Sequence, residues 1–480
     1  MKITGGPRLR RSTLVLGACL AVFGGVGMAH WYWLPVAWWI VVAAMGVLLT
    51  LRFHTVLTLC CLVLFGFGLG WWRGTVAAEA LAALRGLHMQ QVTIVGSVTD
   101  EAVYDKRHQL EFSLTNVRYE SPIVRSLPGD ITVKGFGLSM AYRGDTIRAT
   151  GKFYPTRGNK VANVSFATLE VVARDDTWVH NFRRSFAAGM QSALPEPLAS
   201  FALGLLIGQR TTLPEATDQQ LREVGLTHII AVSGYNLTVI VMACRRLLAP
   251  YSKFQATAAC VFLISLFLAI TGTSPPIVRA SVISMLGIAA WYYGREIKPL
   301  VLLLVGAALT VLANPFYLWG NVSWYLSFLA FFGVLVLAPL VCRRLWGPKE
   351  PKMIGGLLVE SACATVLVAP YILWIFGQTS LVGLIANMLV VPLIPLAMLL
   401  GLVAGLAGMF MPGSAGWLAW PARWLLTYML DVANVLSRLP YAFIEDIGFS
   451  FSAMCVAYAA LGFVTWVLWR KTRTLPKTHI

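Results

Sequence analysis

Polar and small side chains interrupt an apolar run in LREVGLTHIIAVSGYNLTVIV, residues 221–241. They are His228, Ser233, Gly234 and Asn236. Inside a bilayer each polar group must find a partner or lose free energy, so such residues are rare there and mark protein-lined cavities. Taken singly, each is also explained by hydrogen bonding between helices. As a cluster beside a glycine, they predict a pore or a substrate path.

A second interruption follows in ITGTSPPIVRASVISML, where Pro275 and Pro276 precede Arg279. The prolines lack a backbone N–H and are expected to break the helix. An arginine at the centre of a membrane helix costs about 2.5–3.5 kcal/mol even on lenient insertion scales. Two interpretations stay open for Arg279. Its side chain either snorkels to the interface or offers forked donors to phosphate inside a hydrated cavity.

Two weaker interruptions lie further along the chain. The stretch NPFYLWGNVSWYLSFLAFFG carries Ser327 among aromatic residues, and GQTSLVGLIANMLVVPLIPLAMLLG carries Asn387 and Pro392. The polar residues are candidates for the same path as the first cluster.

Motifs for catalysis are absent from the sequence. It contains no phosphate-binding glycine loop, no H-E-x-x-H and no G-x-S-x-G pattern. His228 and Ser233 lie more than one helical turn apart, and no carboxylate is near enough in sequence to orient the imidazole. Metal-assisted cleavage of phosphodiesters needs clustered ligands, whereas the 7 histidines are scattered. We therefore expect no catalytic residue, no metal, no cofactor and no nuclease activity.

Composition places most of the chain in lipid. Charged residues make up 12% of the 480 residues and hydrophobic residues 58%, which is about half the charge of a soluble domain. Apolar runs recur along the chain, and about ten to twelve spans, some of them broken, are predicted from their length. The net charge of +17 fits either cytoplasmic loops rich in Lys and Arg or a basic surface for an anionic ligand.

Between residues 76 and 176 the spacing of the apolar residues changes from the period of a helix to that of a strand. Short β-branched runs separated by Gly, Pro, Asn and Asp, such as QQVTIVGSVTD and SFATLEVVA, are typical of strands. About five strands predict a small closed β-barrel of the OB type, and a small sandwich is the alternative. Three apolar runs precede this region. With the basic N-terminus in the cytoplasm, they place the insert on the extracytoplasmic side.

The predicted fold is a polytopic α-helical membrane protein with an inserted extracytoplasmic OB-like domain. The predicted domains are transmembrane helices in 1–75, the β domain in 76–176, an amphipathic interfacial helix in 177–197, a transmembrane domain in 198–470 and a cytoplasmic tail in 471–480. The amphipathic helix carries Arg183 and Arg184 on a polar face. It is expected to lie along the membrane surface.

Taken in order, the interrupted stretches resemble the ComEC-type competence channel family, bacterial inner-membrane proteins that pass single-stranded DNA into the cytoplasm during natural transformation. GLTHIIAVSG matches that family's G-L-[ST]-H-[LI]-[LI]-A-[VI]-S-G core, and TGTSPPIVRA, NPFYLWGNVSWYLSFLA and GLIANMLVVPL follow in the family's order. Two departures stand out. Asn236 replaces a second His that the family usually has, and no metal cluster of the family's C-terminal metallo-β-lactamase-like domain can be read here.

The resemblance implies a multi-pass inner-membrane channel for single-stranded DNA. Residues expected along the DNA path are His228, Ser233, Gly234, Asn236, Arg279, Ser327 and Asn387, with helices broken at Pro275, Pro276 and Pro392. Candidate phosphate contacts in the OB-like domain are Lys106, Arg107, Arg157 and Lys160.

The same resemblance implies partners. These are single-stranded DNA, membrane lipid, a DNA receptor, a cytoplasmic translocation ATPase or single-strand-binding protein, a separate nuclease and a second copy of the chain. Two alternatives from other functional classes stay open. One is a transporter of another solute built on broken helices, and the other is a membrane scaffold for a separately encoded nuclease.

Overall fold

The computed structural model describes residues 9–31, 43–47, 55–82, 84–99, 102–104, 109–121, 125–127, 129–138, 141–155, 160–209, 212–230, 234–248, 250–272, 275–295, 298–347 and 353–472. The chain divides into two compact units. The first comprises Met1–Asp175, Ala249–Val261 and Gly272–Trp324. The second comprises Asp176–Leu248, Phe262–Thr271 and Tyr325–Ile480.

Helices make up most of the described residues. Those named below are, in chain order, α1 Arg11–Ala29, α2 Val56–Ala82, α3 Trp178–Ala193, α4 Leu198–Ile207, α5 Glu215–Glu223, α6 Thr227–Ile230, α7 Gly234–Leu247, α8 Lys253–Thr271, α9 Pro275–Tyr292, α10 Pro299–Ala313, α11 Phe316–Gly320, α12 Val322–Phe332, α13 Ala338–Trp346, α14 Met353–Phe376, α15 Gly383–Val390, α16 Ile394–Phe410, α17 Ala415–Leu418, α18 Trp420–Ser437 and α19 Phe451–Thr472. The strands are β1 Gln91–Val98, β2 Val103–Tyr104, β3 Leu110–Ser121, β4 Arg125–Ser126, β5 Ile131–Phe136, β6 Thr146–Pro155, β7 Ala162–Ala173, β8 Thr379–Ser380 and β9 Phe443–Ile444.

Seven helical segments among the described residues are long and apolar enough to cross a membrane. They are Arg11–Ala29, Val56–Ala82, Lys253–Thr271, Val322–Trp346, Gly355–Phe376, Gly383–Phe410 and Phe451–Thr472. Shorter apolar helices are Leu198–Ile207, Pro276–Tyr292 and Pro299–Ala313. The prediction of a mostly helical chain with several membrane-compatible helices is confirmed, and the number of spans stays a prediction.

Two of these long segments are interrupted. A π-helical turn at Gly333–Leu337 separates α12 from α13, and a 3₁₀ turn at Val391–Leu393 separates α15 from α16. A Cβ atom built on Gly333 would lie 2.7 Å from the Cys363 carbonyl oxygen of α14. The π turn therefore begins where two helix backbones meet.

Glycines bring α1 and α2 of the first unit together. Gly66, Gly70 and Gly74 recur at every fourth position of α2 and so lie on one face of it. A Cβ atom built on Gly66 would lie 2.6 Å from the Ala18 carbonyl oxygen, and one on Gly74 would lie 2.5 Å from Ala29 Cβ. Small residues at this spacing allow membrane helices to pack with their backbones close together.

The β strands of the first unit form one sheet whose pairings return to their starting strand. Antiparallel pairs join β1 to β6, β6 to β7, β5 to β3 and β3 to β1, while β5 and β7 pair in parallel. Alternate side chains along each long strand are buried, among them Ile94, Ile131, Ile147 and Phe153. The predicted β region between the helical segments is confirmed.

The second unit packs α3 against α16, again through glycines. A Cβ atom built on Gly189 of α3 would lie 2.6 Å from the Met409 amide nitrogen and 2.7 Å from the Gly405 carbonyl oxygen. Arg183 was expected on a solvated polar face, but its side chain is buried, whereas Arg184 makes an exposed ion pair with Asp176 at 3.1 Å. The amphipathic pattern identified an apolar face without showing that a helix covers it.

Candidate functional site

The described residues of the GLTHIIAVSG stretch, 225–230 and 234, form a turn, the short helix α6 and the start of α7. Gly225 adopts a left-handed φ of 74°, and His228 Nδ1 lies 3.0 Å from the Gly225 carbonyl oxygen. This contact requires the Nδ1–H tautomer and leaves Nε2 as an acceptor. The His228 side chain is exposed, whereas Ile229 and Ile230 are buried in the core. Ser233 lies outside the described residues, and Gly234 is the first residue of α7.

Asn236 lies in the interior of the second unit and is 1% exposed. Its Nδ2 donates a hydrogen bond to the Leu205 carbonyl oxygen at 3.2 Å. Leu205 is in the last turn of α4, where carbonyl groups lack partners within the helix. Gly208 ends this helix with a left-handed φ of 78°. Asn236 therefore caps a helix end and is not exposed to solvent in this conformation.

We expect Asn236→Ala to destabilise the chain, because it leaves the buried Leu205 carbonyl without this donor, at a cost of about 1–3 kcal/mol. Thermal unfolding of the detergent-purified chain measures the effect. Thr238→Ala is the matched control on the same helix, because the exposed Thr238 hydroxyl donates only to the Gly234 carbonyl oxygen at 2.9 Å. Equal unfolding midpoints for the two variants would contradict the capping role.

Arg279 lies in the second turn of α9, in the first unit, and is 1% exposed. Tyr317 lies within electrostatic range of its guanidinium. Pro275 and Pro276 occupy the first positions of α9. The preceding helix α8 ends at Thr271, so the helical structure is interrupted just before the prolines, and Arg279 follows near the start of α9, as the sequence predicted. Proline is pre-organised for the first helical turn, where its missing N–H costs nothing.

The remaining predicted path residues lie in the second unit. Ser327 is half-buried in α12, and Asn387 is half-buried in α15. The Asn387 Oδ1 atom is itself buried and has no hydrogen-bond partner among the residues that the structure describes. Pro392 is exposed within the 3₁₀ turn that separates α15 from α16.

The predicted phosphate contacts of the β region are only partly described. Lys106, Arg107 and Arg157 lie outside the described residues. The Lys160 ammonium donates a hydrogen bond to the Ser113 hydroxyl of β3. This contact holds the Lys160 side chain against that strand.

Ion pairs occupy part of the outer surface of the β region. Arg148 Nε donates to Glu120 at 3.0 Å, and Lys134 pairs with Glu111 at 2.8 Å. The hydrogen bond and the charge of Glu120 raise the pKa of Arg148. These two cations are therefore already neutralised locally, which reduces their value as phosphate contacts.

Sequence reasoning missed the role of two arginines, Arg73 and Arg183, in capping helix ends. Arg73 donates from Nε to the Leu312 carbonyl oxygen at 2.7 Å and from Nη2 to the Ala313 carbonyl oxygen at 2.9 Å, at the end of α10. Arg183 Nη1 donates to the Ile270 carbonyl oxygen at 2.8 Å, at the end of α8. Cations are favoured at helix C-termini. No local sequence pattern predicts these contacts, because the partners are distant in sequence.

The NPFYLWGN stretch joins the helices of the first unit to its β region. Phe316 packs in the β core, and Trp319 Nε1 donates to the Val26 carbonyl oxygen of α1 at 3.0 Å. The Asn321 Oδ1 atom accepts the Trp324 N–H at 2.7 Å, which caps the start of α12. This stretch was predicted from sequence as part of a path, and in the structure its polar groups serve helix ends.

The described residues contain no group of three or more His, Cys, Asp or Glu side chains that could hold a metal ion. Two of the histidines contact aromatic rings. His30 lies 5.1 Å from the Trp319 ring, and His88 lies edge-on to Tyr154 at 5.9 Å. The expectation of no metal and no catalysis stays a prediction.

Comparison with known proteins identifies the family. The competence protein family profile matches residues 205–471, more than half of the chain. ComE operon protein 3 of Bacillus subtilis is 22% identical over 264 residues, covering 54% of this chain and 33% of that protein. Competence protein ComA of Neisseria gonorrhoeae is 27% identical over 249 residues, covering 48% and 33%.

A third relative is the uncharacterized protein YcaI of Escherichia coli, which is 24% identical over 328 residues, covering 61% of this chain and 43% of that protein. The chain thus matches less than half the length of each of these relatives. No solved structure matches it. The family profile spans the end of α4, α5 and the helices that follow, including α6, α7 and the interrupted segments. The chain belongs to the competence protein family.

Proposed function

We propose that the chain is a multi-pass channel of the bacterial inner membrane that passes single-stranded DNA into the cytoplasm during natural transformation. The family match over residues 205–471 carries the proposal. One of the relatives named above, ComA of Neisseria gonorrhoeae, is a competence protein by name. Competence of this kind requires a polyanion to cross the membrane, and a chain with seven membrane-compatible helices among its described residues suits that task.

The interrupted helices support a transport role. Irregular backbone at membrane depth persists where it is buried in protein or lines a water-filled cavity, and broken helices form the substrate sites of many transporters. Pro392 lies at one such break, and Asn387, whose buried Oδ1 has no partner in the described part of the chain, is on the helix just before it. Asn236 and Arg279 are buried, so contact of either residue with DNA requires a conformational opening. His228 is already exposed.

We further propose that the β region is an extracytoplasmic OB-like barrel. The cycle of pairings through β1, β6, β7, β5 and β3, with one parallel pair, supports a small closed barrel. We also propose that the chain itself is not a nuclease. A separate nuclease, a DNA receptor, a translocation ATPase or single-strand-binding protein and a second copy of the chain are its proposed partners.

The test is complementation of a transformable bacterium that lacks its own competence channel. We expect the chain to restore internalisation of labelled DNA, and the purified protein to bind single strands with an affinity that falls steeply with salt. His228→Ala should lower internalisation by about tenfold, equivalent to about 1.4 kcal/mol, with little change in the unfolding midpoint, because this side chain and its hydrogen bond to Gly225 are exposed. Duplex DNA incubated with the purified chain and Mn²⁺ should stay intact.

Membrane-inserted chain that fails to restore internalisation would overturn the channel proposal. Metal-dependent cleavage that copurifies with the chain would overturn the proposal that it is not a nuclease. Matched expression of wild type and His228→Ala, measured in isolated membranes, is the control for both assays.

A further inference from the structure

One phenylalanine on the outer surface of the β region has a backbone conformation that bulky residues rarely adopt. Phe166, in the middle of β7, has a φ of 54° and is 59% exposed. It lies in a β-bulge, because Val133 pairs with Val164 while Gly135 pairs with Ala167. A left-handed phenylalanine is strained, and this one gains no burial in return. Local strain of this kind is concentrated at functional sites.

The neighbouring strands are shaped to accept the bulge. Gly135 of β5 and Gly151 of β6 flank it on either side. A Cβ atom on Gly135 would collide with the Ala167 carbonyl oxygen, and one on Gly151 would lie 2.9 Å from the Ser165 carbonyl oxygen. A strand glycine often marks a place where another backbone approaches closely. Three adjacent strands therefore share the geometry that projects Phe166 outward.

Lysines lie on both sides of this ring in the sheet. Lys152 of β6 is paired with Ser165, and Lys134 of β5 lies opposite the bulge, between two residues paired with Val164 and Ala167. Adjacent strands are about 4.8 Å apart, so both cations start within side-chain reach of Phe166. Lys134 pairs with Glu111. Lys152 is exposed, and no described residue forms an ion pair with it.

A second exposed ring lies on the same outer face. Phe136 is 51% exposed and is paired with Thr168, two residues beyond Phe166 on β7. It follows Lys134 by two positions, and residues at this spacing share one face of a strand. Diagonal neighbours in a sheet are within reach of each other when the side chains are aromatic. The face thus presents two rings and Lys152, which forms no ion pair with any residue that the structure describes.

We propose that this outer face of β5, β7 and β6 binds single-stranded nucleic acid, with Phe166 and Phe136 stacking on bases and Lys152 contacting phosphate. Sequence-tolerant single-strand sites combine aromatic platforms with a basic surface. The choice of ligand rests on the proposed function. The binding surface is new, because it lies on the strands, whereas the contacts predicted from sequence were Lys106, Arg107, Arg157 and Lys160.

The surroundings of the two rings favour nucleic acid over a lipid surface. A lipid-binding face is a continuous apolar patch. Here the outward positions around the rings and lysines are polar or charged. They are Thr132, Thr150, Asn163 and Thr168, together with Glu111, Arg148 and Glu170, which are held in ion pairs. Hydroxyl and amide groups donate readily to phosphate and sugar oxygens, whereas they weaken insertion into acyl chains.

The test measures binding of a fluorescent oligothymidylate to the full-length chain in detergent, together with thermal unfolding. Phe166→Gly should weaken binding about tenfold while the unfolding midpoint is unchanged or higher, because glycine adopts positive φ without strain. Phe166→Tyr should retain binding. Lys152→Gln should reduce the slope of log affinity against log salt concentration by about one. Val172→Ala, at an exposed apolar residue of the same strand, is the control and should change neither quantity.

Each outcome separates this surface from the proposed function. Wild-type affinity in Phe166→Gly, in a chain that still binds oligothymidylate and restores DNA uptake, would overturn the surface and leave the channel proposal standing. If Phe166→Gly lost binding to anionic phospholipid vesicles while its oligonucleotide affinity stayed unchanged, the surface would be a lipid contact. That result would also overturn the proposed nucleic-acid surface. A wild-type chain that neither binds the oligonucleotide nor restores uptake would overturn both.

Discussion

Gly408→Leu should prevent the second unit from reaching its native packing. Gly408 lies in α16, where this helix packs against α3. A Cβ atom at this position would collide with the Gly189 carbonyl oxygen of α3, and it would lie 2.8 Å from Ser192 Oγ. The obstacle is backbone, so a rotamer change cannot relieve it, and the two helices must separate. Overpacking a core costs about 1–3 kcal/mol when side chains can adjust, and we expect a larger loss here. Thermal unfolding of the detergent-purified chain, with the yield of folded protein, measures it.

Gly462→Leu is the matched control for this substitution. Gly462 lies in the interior of α19, and no heavy atom of the described residues outside its local helix lies within 4 Å of a Cβ built on it. Both changes add the same side chain to an apolar helix, so helix propensity and hydrophobicity are matched. We expect the control to unfold like wild type. Similar losses in the two variants would show that helix contact at Gly408 is not the cause.

Arg183→Met should destabilise the chain by about 1–3 kcal/mol, because it removes a donor from the part-buried Ile270 carbonyl at the end of α8. Methionine keeps the length and apolar volume of the side chain, so the comparison isolates the polar head group. Arg183 is 7% exposed, and water has little access to replace the lost hydrogen bond. The measurement is the shift of the unfolding midpoint and of the denaturant concentration at half-unfolding.

Arg184→Met supplies the control on the adjacent residue. The Arg184 side chain pairs with Asp176 at the surface, where the Asp176 side chain is 83% exposed. Exposed ion pairs contribute about 0–1 kcal/mol, so we expect a small shift that salt reduces further. If Arg184→Met destabilised the chain as much as Arg183→Met, capping of α8 by Arg183 would not explain the loss.

The sequence determined the class of protein and the order of its parts. The patterns that carried this information are local. They are the apolar runs, the short β-branched runs separated by turn residues between residues 76 and 176, and the GLTHIIAVSG stretch. Each depends on the residues within one helix, strand or motif, so it can be read without knowing what packs against it. The membrane-compatible helices, the β region and the family follow from them.

The tertiary structure decided what the polar residues do. Asn236 bonds to a carbonyl 31 positions earlier, and Arg73 bonds to one 239 positions later. Sequence spacing carries no information on such pairs, so polar groups that cap helix ends could not be told from groups that line a path. Phe166 shows the same limit, because its bulge depends on glycines in two other strands. Only the packing of the elements decides which backbone groups are left unsatisfied at a helix end. It also decides which strand lies opposite a bulge.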